Sequence, residues 1–160
     1  MNGATRAPGG TVRVVDSCCG TFRAAACEAR LAALDTPVSG GVAGAVAASL
    51  TFIVGGDARA FARSRPVLET MGKRIVYCGP AGSGQAAKMR NNMIIGVSMI
   101  AVAEAFVLAE LLGLSHRALF EVASSSSGQC WRLASYCPVP GPVPASPANR
   151  GYAPGSQHAT

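Results

Sequence analysis

Lysine is scarce in this chain of 160 residues, occurring only at Lys73 and Lys88. Lys88 lies in Gly82-Ser83-Gly84-Gln85-Ala86-Ala87-Lys88-Met89-Arg90-Asn91-Asn92, a G-x-G-x-x-x-K-x-x-x-N pattern. Residues four apart on a helix share a face, so Lys88 and Asn92 can address one small ligand together. A helix N-terminus just ahead of them favours an anion nearby by about 0.3–1 kcal/mol. The alternative is an exposed lysine and asparagine at the start of a helix. A second candidate is the turn Asp35-Thr36-Pro37-Val38-Ser39-Gly40-Gly41, whose hydroxyl and unhindered backbone N–H groups suit a carboxylate. Its alternative is an ordinary Gly-Gly loop after a strand.

Gly82 to Ala87 also fits the G-x-G-x-x-G/A dinucleotide fingerprint, following a strand and opening a helix. Against that reading, no second strand follows within the next thirty residues, the helix is too long for a β-α-β unit, and the acidic residue about twenty positions on, Glu104, falls in mid-helix. Cys130 and Trp131 read as core or loop packing, since no neighbour would lower a thiol pKa. Met89, Met93 and Met99 read as helix packing residues.

The elements that must place these residues are legible in part. Residues 1–15 read as an irregular lead-in, and the Ala-rich Phe22 to Ala33 suits a short helix. Leu34 to Val38 is a short extended run that Pro37 disfavours as a central strand. LTFIV, Leu50 to Val54, is a strand closing on Gly55-Gly56. Asp57 caps a following helix that is interrupted near Pro66 and stopped by Gly72. RIVYC, Arg74 to Cys78, is another strand. After the glycine-rich turn Gly79 to Gly84, a helix runs from Gln85 to about Leu112, with Gly113 as its C-terminal cap. Ser115 caps a shorter helix through Ala123, and the Pro-, Gly- and Ser-rich segment from Pro138 to Thr160 reads as irregular or disordered.

The chain is 49% hydrophobic and only 14% charged, against about 25% charged in an average soluble domain; part of its apolar surface therefore calls for a partner. The net charge of +6 comes from arginines scattered along the chain, and 6% aromatic content gives no stacking platform, so nucleic acid is not an expected partner. The six cysteines form no C-x-x-C pair and lie far from His116 and His158, which argues against a zinc site or a disulfide framework. Met93 to Leu112 is long enough to raise the question of a membrane span, but Glu104 and Glu110 lie inside it, each costing about 2–3 kcal/mol or more in lipid. A helix buried between domains or subunits is the better reading.

Taken in order, DTPVSGGVAGA, LTFIVGG, MGKRIVYCGPAGSGQAAKMRNNM, SSGQCW and YCPVPG resemble the 3-hydroxyisobutyrate dehydrogenase branch of the β-hydroxyacid dehydrogenases, over about Leu34 to Pro154. The resemblance implies an α/β remnant of a Rossmann-type cofactor domain, followed by the start of an all-α C-terminal domain with a long interdomain helix. It implies a divergent lead-in over 1–33, the C-terminal part of the NAD-binding domain over 34–84, the first helices of the helical domain over 85–137, and an irregular truncated tail over 138–160. It assigns Ser39, Gly40 and Gly41 to the substrate carboxylate, Lys88 as catalytic acid/base, and Asn92 to substrate orientation. Asn91, about 100° away around the helix, is the weaker candidate. The implied reaction is oxidation of 3-hydroxyisobutyrate to methylmalonate semialdehyde in valine catabolism, with NAD as cofactor and NADP not excluded. Tartronate semialdehyde reduction and a non-catalytic, self-associating fragment are the alternatives.

Oxidising a β-hydroxy acid removes a proton from the hydroxyl while hydride leaves the same carbon for the nicotinamide. An ordinary lysine pKa of about 10.4 is too high for this work near neutrality, so a dry site must lower it. Upstream of Leu34 there is no Gly-rich turn between strand and helix, so no cofactor-binding residue is assigned; no metal ligand is assigned either. The expected partners are a small hydroxy acid and a second copy of the chain through the long helix, with neither nucleic acid nor membrane. The expected compartment is the cytoplasm, or the mitochondrion in a eukaryote.

Overall fold

The computed structural model describes residues 4–7, 10–15, 25, 26 and 28–152, and the chain divides into two units, Met1–Asn91 and Asn92–Thr160. The first holds β1 (Ala4–Ala7), β2 (Gly10–Val15), β3 (Ala32–Asp35), β4 (Val38–Ser39), α1 (Gly41–Val46), β5 (Leu50–Gly56), α2 (Ala58–Met71) and β6 (Gly72–Gly79). Helix α3 (Ser83–Leu111) begins in the first unit and continues into the second, which adds α4 (His116–Ser125), α5 (Trp131–Ser135) and a 3-10 helix over Pro147–Arg150.

The strands form one mixed sheet in the order β1-β2-β3-β5-β4, with β6 on the other side of β5. Residues 4–7 and 10–15 are thus strands, not part of an irregular lead-in. β1 and β2 pair as an antiparallel hairpin, and β2 lies parallel to β3. The composition of Gly and Pro there masks the β-branched TVRVV, which suits a strand. The expected helix over Phe22 to Ala33 is also shorter. Residues 25, 26 and 28 are helical, Arg30 turns the chain at φ 53°, and Ala32 is already strand; residues 22–24 and 27 lie outside the described ones.

β3 and β4 behave as one strand with a gap. Both run antiparallel to β5 in the same register, Asp35 opposite Gly55 and Val38 opposite Phe52, and between them the Pro37 carbonyl accepts the Ile53 N–H at 3.0 Å. Proline lacks only the donor, so its acceptor keeps the extended line intact through Thr36 and Pro37. β5 and β6 are parallel and are joined by α2, as parallel neighbours require a crossover.

Asp57 caps α2 as its sequence position indicates, accepting the Ala60 N–H at 2.9 Å. Ala60, Ser64 and Leu68 recur every four residues and are buried, and Ala60 and Leu68 join Leu34, Phe52 and Val54 in the core of this unit. Pro66 does not interrupt α2, which runs unbroken to its cap at Gly72. Pro66 and Ala62, whose carbonyl loses its partner four residues on, are both exposed, so water takes over that acceptor.

In the second unit Phe106, Leu133 and Cys137 form the core. Gly113 ends α3 at φ 73°, and Leu114 N–H reaches Ala109 O at 2.8 Å, a C-terminal closure that favours glycine. Ser115 caps α4 by accepting the Ala118 N–H. Through residue 152 the tail is irregular apart from its 3-10 turn, as expected, and is held by specific hydrogen bonds. Ser146 is buried and donates to Cys137 O at 2.5 Å, Asn149 bridges Gly141 N–H and Val143 O, and Tyr152 OH donates to Pro138 O. The tail beyond 152 lies outside the described residues.

Candidate active site

The chain turns sharply after Ser39, the last residue of β4. Gly40 and Gly41 have φ of 135° and 60°, values an L side chain rarely adopts, and a Cβ on Gly40 would stand 3.1 Å from Leu50 Cδ2. The two glycines are exposed, and a Cβ on Gly41 would meet nothing within 4 Å. Gly40 O then accepts Gly44 N–H at 2.9 Å and starts α1. The result is a half-buried serine followed by two accessible, unhindered peptide units.

Lys88 is brought directly to this loop. It is half-buried on the second turn of α3, and its Nζ donates to Val38 O at 2.7 Å, one residue before Ser39. An ammonium has three hydrogens; with one on Val38 O, two remain for a ligand. Residues 50 apart in sequence thus meet across a strand end and a helix. Asn92 is exposed, one turn further along α3 and the first residue of the second unit, whereas Asn91 is half-buried and the last of the first.

Asp35, which sequence reasoning did not single out, is 7% exposed and fastens the first turn of α3. Its Oδ1 accepts Gly82 N–H at 2.8 Å and its Oδ2 accepts Gln85 N–H at 3.1 Å. The turn Gly82 to Ala87 therefore does not fit a cofactor pyrophosphate: its helix-terminal donors at Gly82 and Gln85 already carry a carboxylate of the chain itself. The sequence near this helix start carries no signal for the contact. Its partner lies 47 residues away.

The remaining reactive groups do not converge here. Cys78, Cys130 and Cys137 are free thiols, and burial pushes the Cys137 thiol up, partly offset by a backbone hydrogen bond at Val139. Among the described residues no three His, Cys, Asp or Glu side chains come together as metal ligands. Cys18, Cys19 and Cys27 lie outside the described residues. Cys130 packs on the second core as expected, but Trp131 is 54% exposed and stacks on Tyr136 at 5.0 Å, with the Arg132 guanidinium over both rings. Met89, Met93 and Met99 are likewise exposed rather than packed, and only 11% of the most apolar window of α3 is buried. The helix uses its Phe106 and Ala109 face for the core and leaves the opposite apolar stripe uncovered.

Two family models match the chain. One, described as the NAD binding domain of 6-phosphogluconate dehydrogenase, covers residues 3–79; the other, described as NAD-binding of NADP-dependent 3-hydroxyisobutyrate dehydrogenase, covers 82–159. The chain is 60% identical over 122 residues to a Mycobacterium tuberculosis protein named probable 3-hydroxyisobutyrate dehydrogenase, over 76% of this chain and 42% of that protein. It is 49% identical over 134 residues to the NAD-dependent L-serine dehydrogenase of Pseudomonas aeruginosa, over 84% of this chain and 45% of that protein. A solved structure of the Mycobacterium tuberculosis 3-hydroxyisobutyrate dehydrogenase with L-serine superposes with a TM-score of 0.80 at 56% identity, over 84% of this chain and 46% of that one. The chain spans less than half the length of these relatives.

Proposed function

The chain belongs to the 3-hydroxyisobutyrate dehydrogenase family, and from that premise we propose that it supplies the substrate-binding and proton-transfer part of an NAD-dependent oxidoreductase acting on 3-hydroxyisobutyrate. The observation that carries the reading is the approach of Lys88 Nζ to Val38 O at 2.7 Å, beside the Ser39-Gly40-Gly41 turn. In this reading the Ser39 hydroxyl and the Gly40 and Gly41 N–H groups hold the substrate carboxylate. Lys88, as the neutral amine, takes the proton of the β-hydroxyl at Nζ during oxidation and becomes the ammonium, which returns the proton in the reverse direction. Asn92 orients the substrate. NAD, when bound, supplies the hydride acceptor; NADP is the alternative. The domain limits that go with this reading are a cofactor-domain part through residue 84, the first helices of the helical domain over 85–137 and its tail over 138–160.

A second substrate has support of its own. L-serine shares the carboxylate and the β-hydroxyl of 3-hydroxyisobutyrate and differs in carrying an ammonium in place of the methyl group. The Pseudomonas aeruginosa relative is named for its action on L-serine, and the superposed structure was solved with L-serine. Joined to the cofactor-domain half of a close relative, the chain should reduce NAD with either substrate. A higher kcat/KM for 3-hydroxyisobutyrate is the expected result; a higher value for L-serine moves the chain to the second reading, and no NADH with either removes the enzymatic one. We also propose that α3 joins copies of the chain, and that the protein works in the bacterial cytoplasm or, in a eukaryote, the mitochondrion, as the name of the Drosophila melanogaster relative states of that protein.

A further inference from the structure

We propose that Asp35 is the positioning residue for Lys88: its carboxylate ties the helix that carries the lysine to the strand that leads into Ser39-Gly40-Gly41. This role rests on the assignment of Lys88 above.

The argument begins with how tightly the carboxylate is held. It is almost fully buried, and both its oxygens accept backbone N–H groups from the start of α3, at Gly82 and Gln85. Hydrogen bonds to an ionised acceptor are among the stronger ones in a protein. Two glycines close on it from two elements. A Cβ on Gly55 of β5 would stand 2.7 Å from both carboxylate oxygens, and one on Gly84 of α3 would stand 2.7 Å from Oδ2 and 2.5 Å from Ile53 O. Neither approach tolerates a side chain, so strand, helix and carboxylate keep one spacing.

Three residues beyond Asp35 in the same extended line is Val38, whose carbonyl takes the Lys88 ammonium. Gln85 and Lys88 are three residues apart and lie on one face of α3. The helix is therefore fastened twice along one face to one strand: by Asp35 at the first turn and by Lys88 at the second. The Val38 bond alone leaves the lysine a flexible four-carbon stem; the Asp35 bonds fix the helix from which that stem starts. Loss of the first fastening lets α3 shift and releases the amine from Val38.

The chain offers a direct measurement, because its only other lysine, Lys73, is exposed on β6 and serves as an internal reference. Acetic anhydride labelling of the 160-residue chain, mapped by mass spectrometry, gives the ratio of rates at Lys88 and Lys73. In Asp35→Asn one carboxylate oxygen becomes an NH2 that faces an N–H donor, and the ratio is expected to rise by about tenfold, the size of effect that losing one hydrogen bond to a charged group gives. An unchanged ratio in an Asn variant with wild-type circular dichroism overturns the proposal and leaves Asp35 as a helix cap only. Should the Asn variant not fold, Asp35→Ser, a smaller acceptor suited to helix N-termini, is read in the same way. Labelling reports geometry and not turnover, so a failed assay of the grafted enzyme and a failed labelling experiment are separate outcomes.

Discussion

At the scale of single residues, the tasks proposed for Lys88 and Asn92 on the early turns of α3 can be told apart by experiment. Lys88 is half-buried and held by Val38 O, whereas Asn92 is exposed. In a protein completed with a cofactor domain, Lys88→Ala should lower kcat by about 10²–10⁴, the usual range for a general acid/base. Lys88→Arg should not restore it, because a guanidinium keeps its proton and cannot act as a base. Asn92→Ala should raise KM with a smaller loss of kcat, since it removes positioning and leaves the proton carrier. Steady-state kinetics of the three variants decide the matter. Near-normal turnover in Lys88→Arg means that only a positive charge is needed at this position, with the proton carried by another group. The types and spacing of these residues were readable in the sequence, but their roles came from the resemblance: K-x-x-x-N on its own describes many exposed helix starts.

At the scale of elements, what the sequence displayed was whatever depends on neighbours a few residues away. The caps Asp57 and Ser115 and the stop at Gly113 each bond within five residues, and each was legible. Pro66 misleads because its local effect points to a break, whereas the burial of Ala60, Ser64 and Leu68 holds α2 through it. Proline in a helix interior is about 3 kcal/mol less favourable than alanine, and Pro66 is exposed. Pro66→Ala should therefore stabilise the chain by about 1–3 kcal/mol once the greater entropy of its unfolded state is counted. Urea denaturation measures this as a rise in midpoint with an unchanged slope. A lower midpoint would mean that the proline ring makes a contact worth more than the helix propensity it forfeits.

At the scale of the whole molecule, the features that were not legible join distant parts of the chain: the pairing of β2 with β3 and the Asp35 link to Gly82 and Gln85. Composition makes 138–160 read as irregular or disordered; through residue 152 it is irregular but held, by the Ser146 and Asn149 hydrogen bonds and by Val139 and Val143 against the second core. The long helix shows the converse. Its apolar character was legible, and its exposure was not, because burial depends on what lies opposite. Met93, Val97, Ile100, Val107 and Leu111 alternate by three, four and seven residues along α3 and are all exposed, Met93 at 70% and Leu111 at 79%. That spacing makes one seam along the helix, and an apolar seam of this length is the kind of surface that associates in water. Sedimentation velocity at a concentration on the order of 10 µM, where a micromolar interface is largely occupied, should find dimers or larger species. Val97→Glu combined with Ile100→Glu should return the chain to monomer, because each buried carboxylate would lack a partner in the seam. Phe106 and Ala109 face the core on the other side of α3, so the double variant should keep its helical circular dichroism. Dimers that survive both substitutions would place the interface elsewhere, and a wild-type chain that sediments as a monomer would remove α3 as a contact between copies.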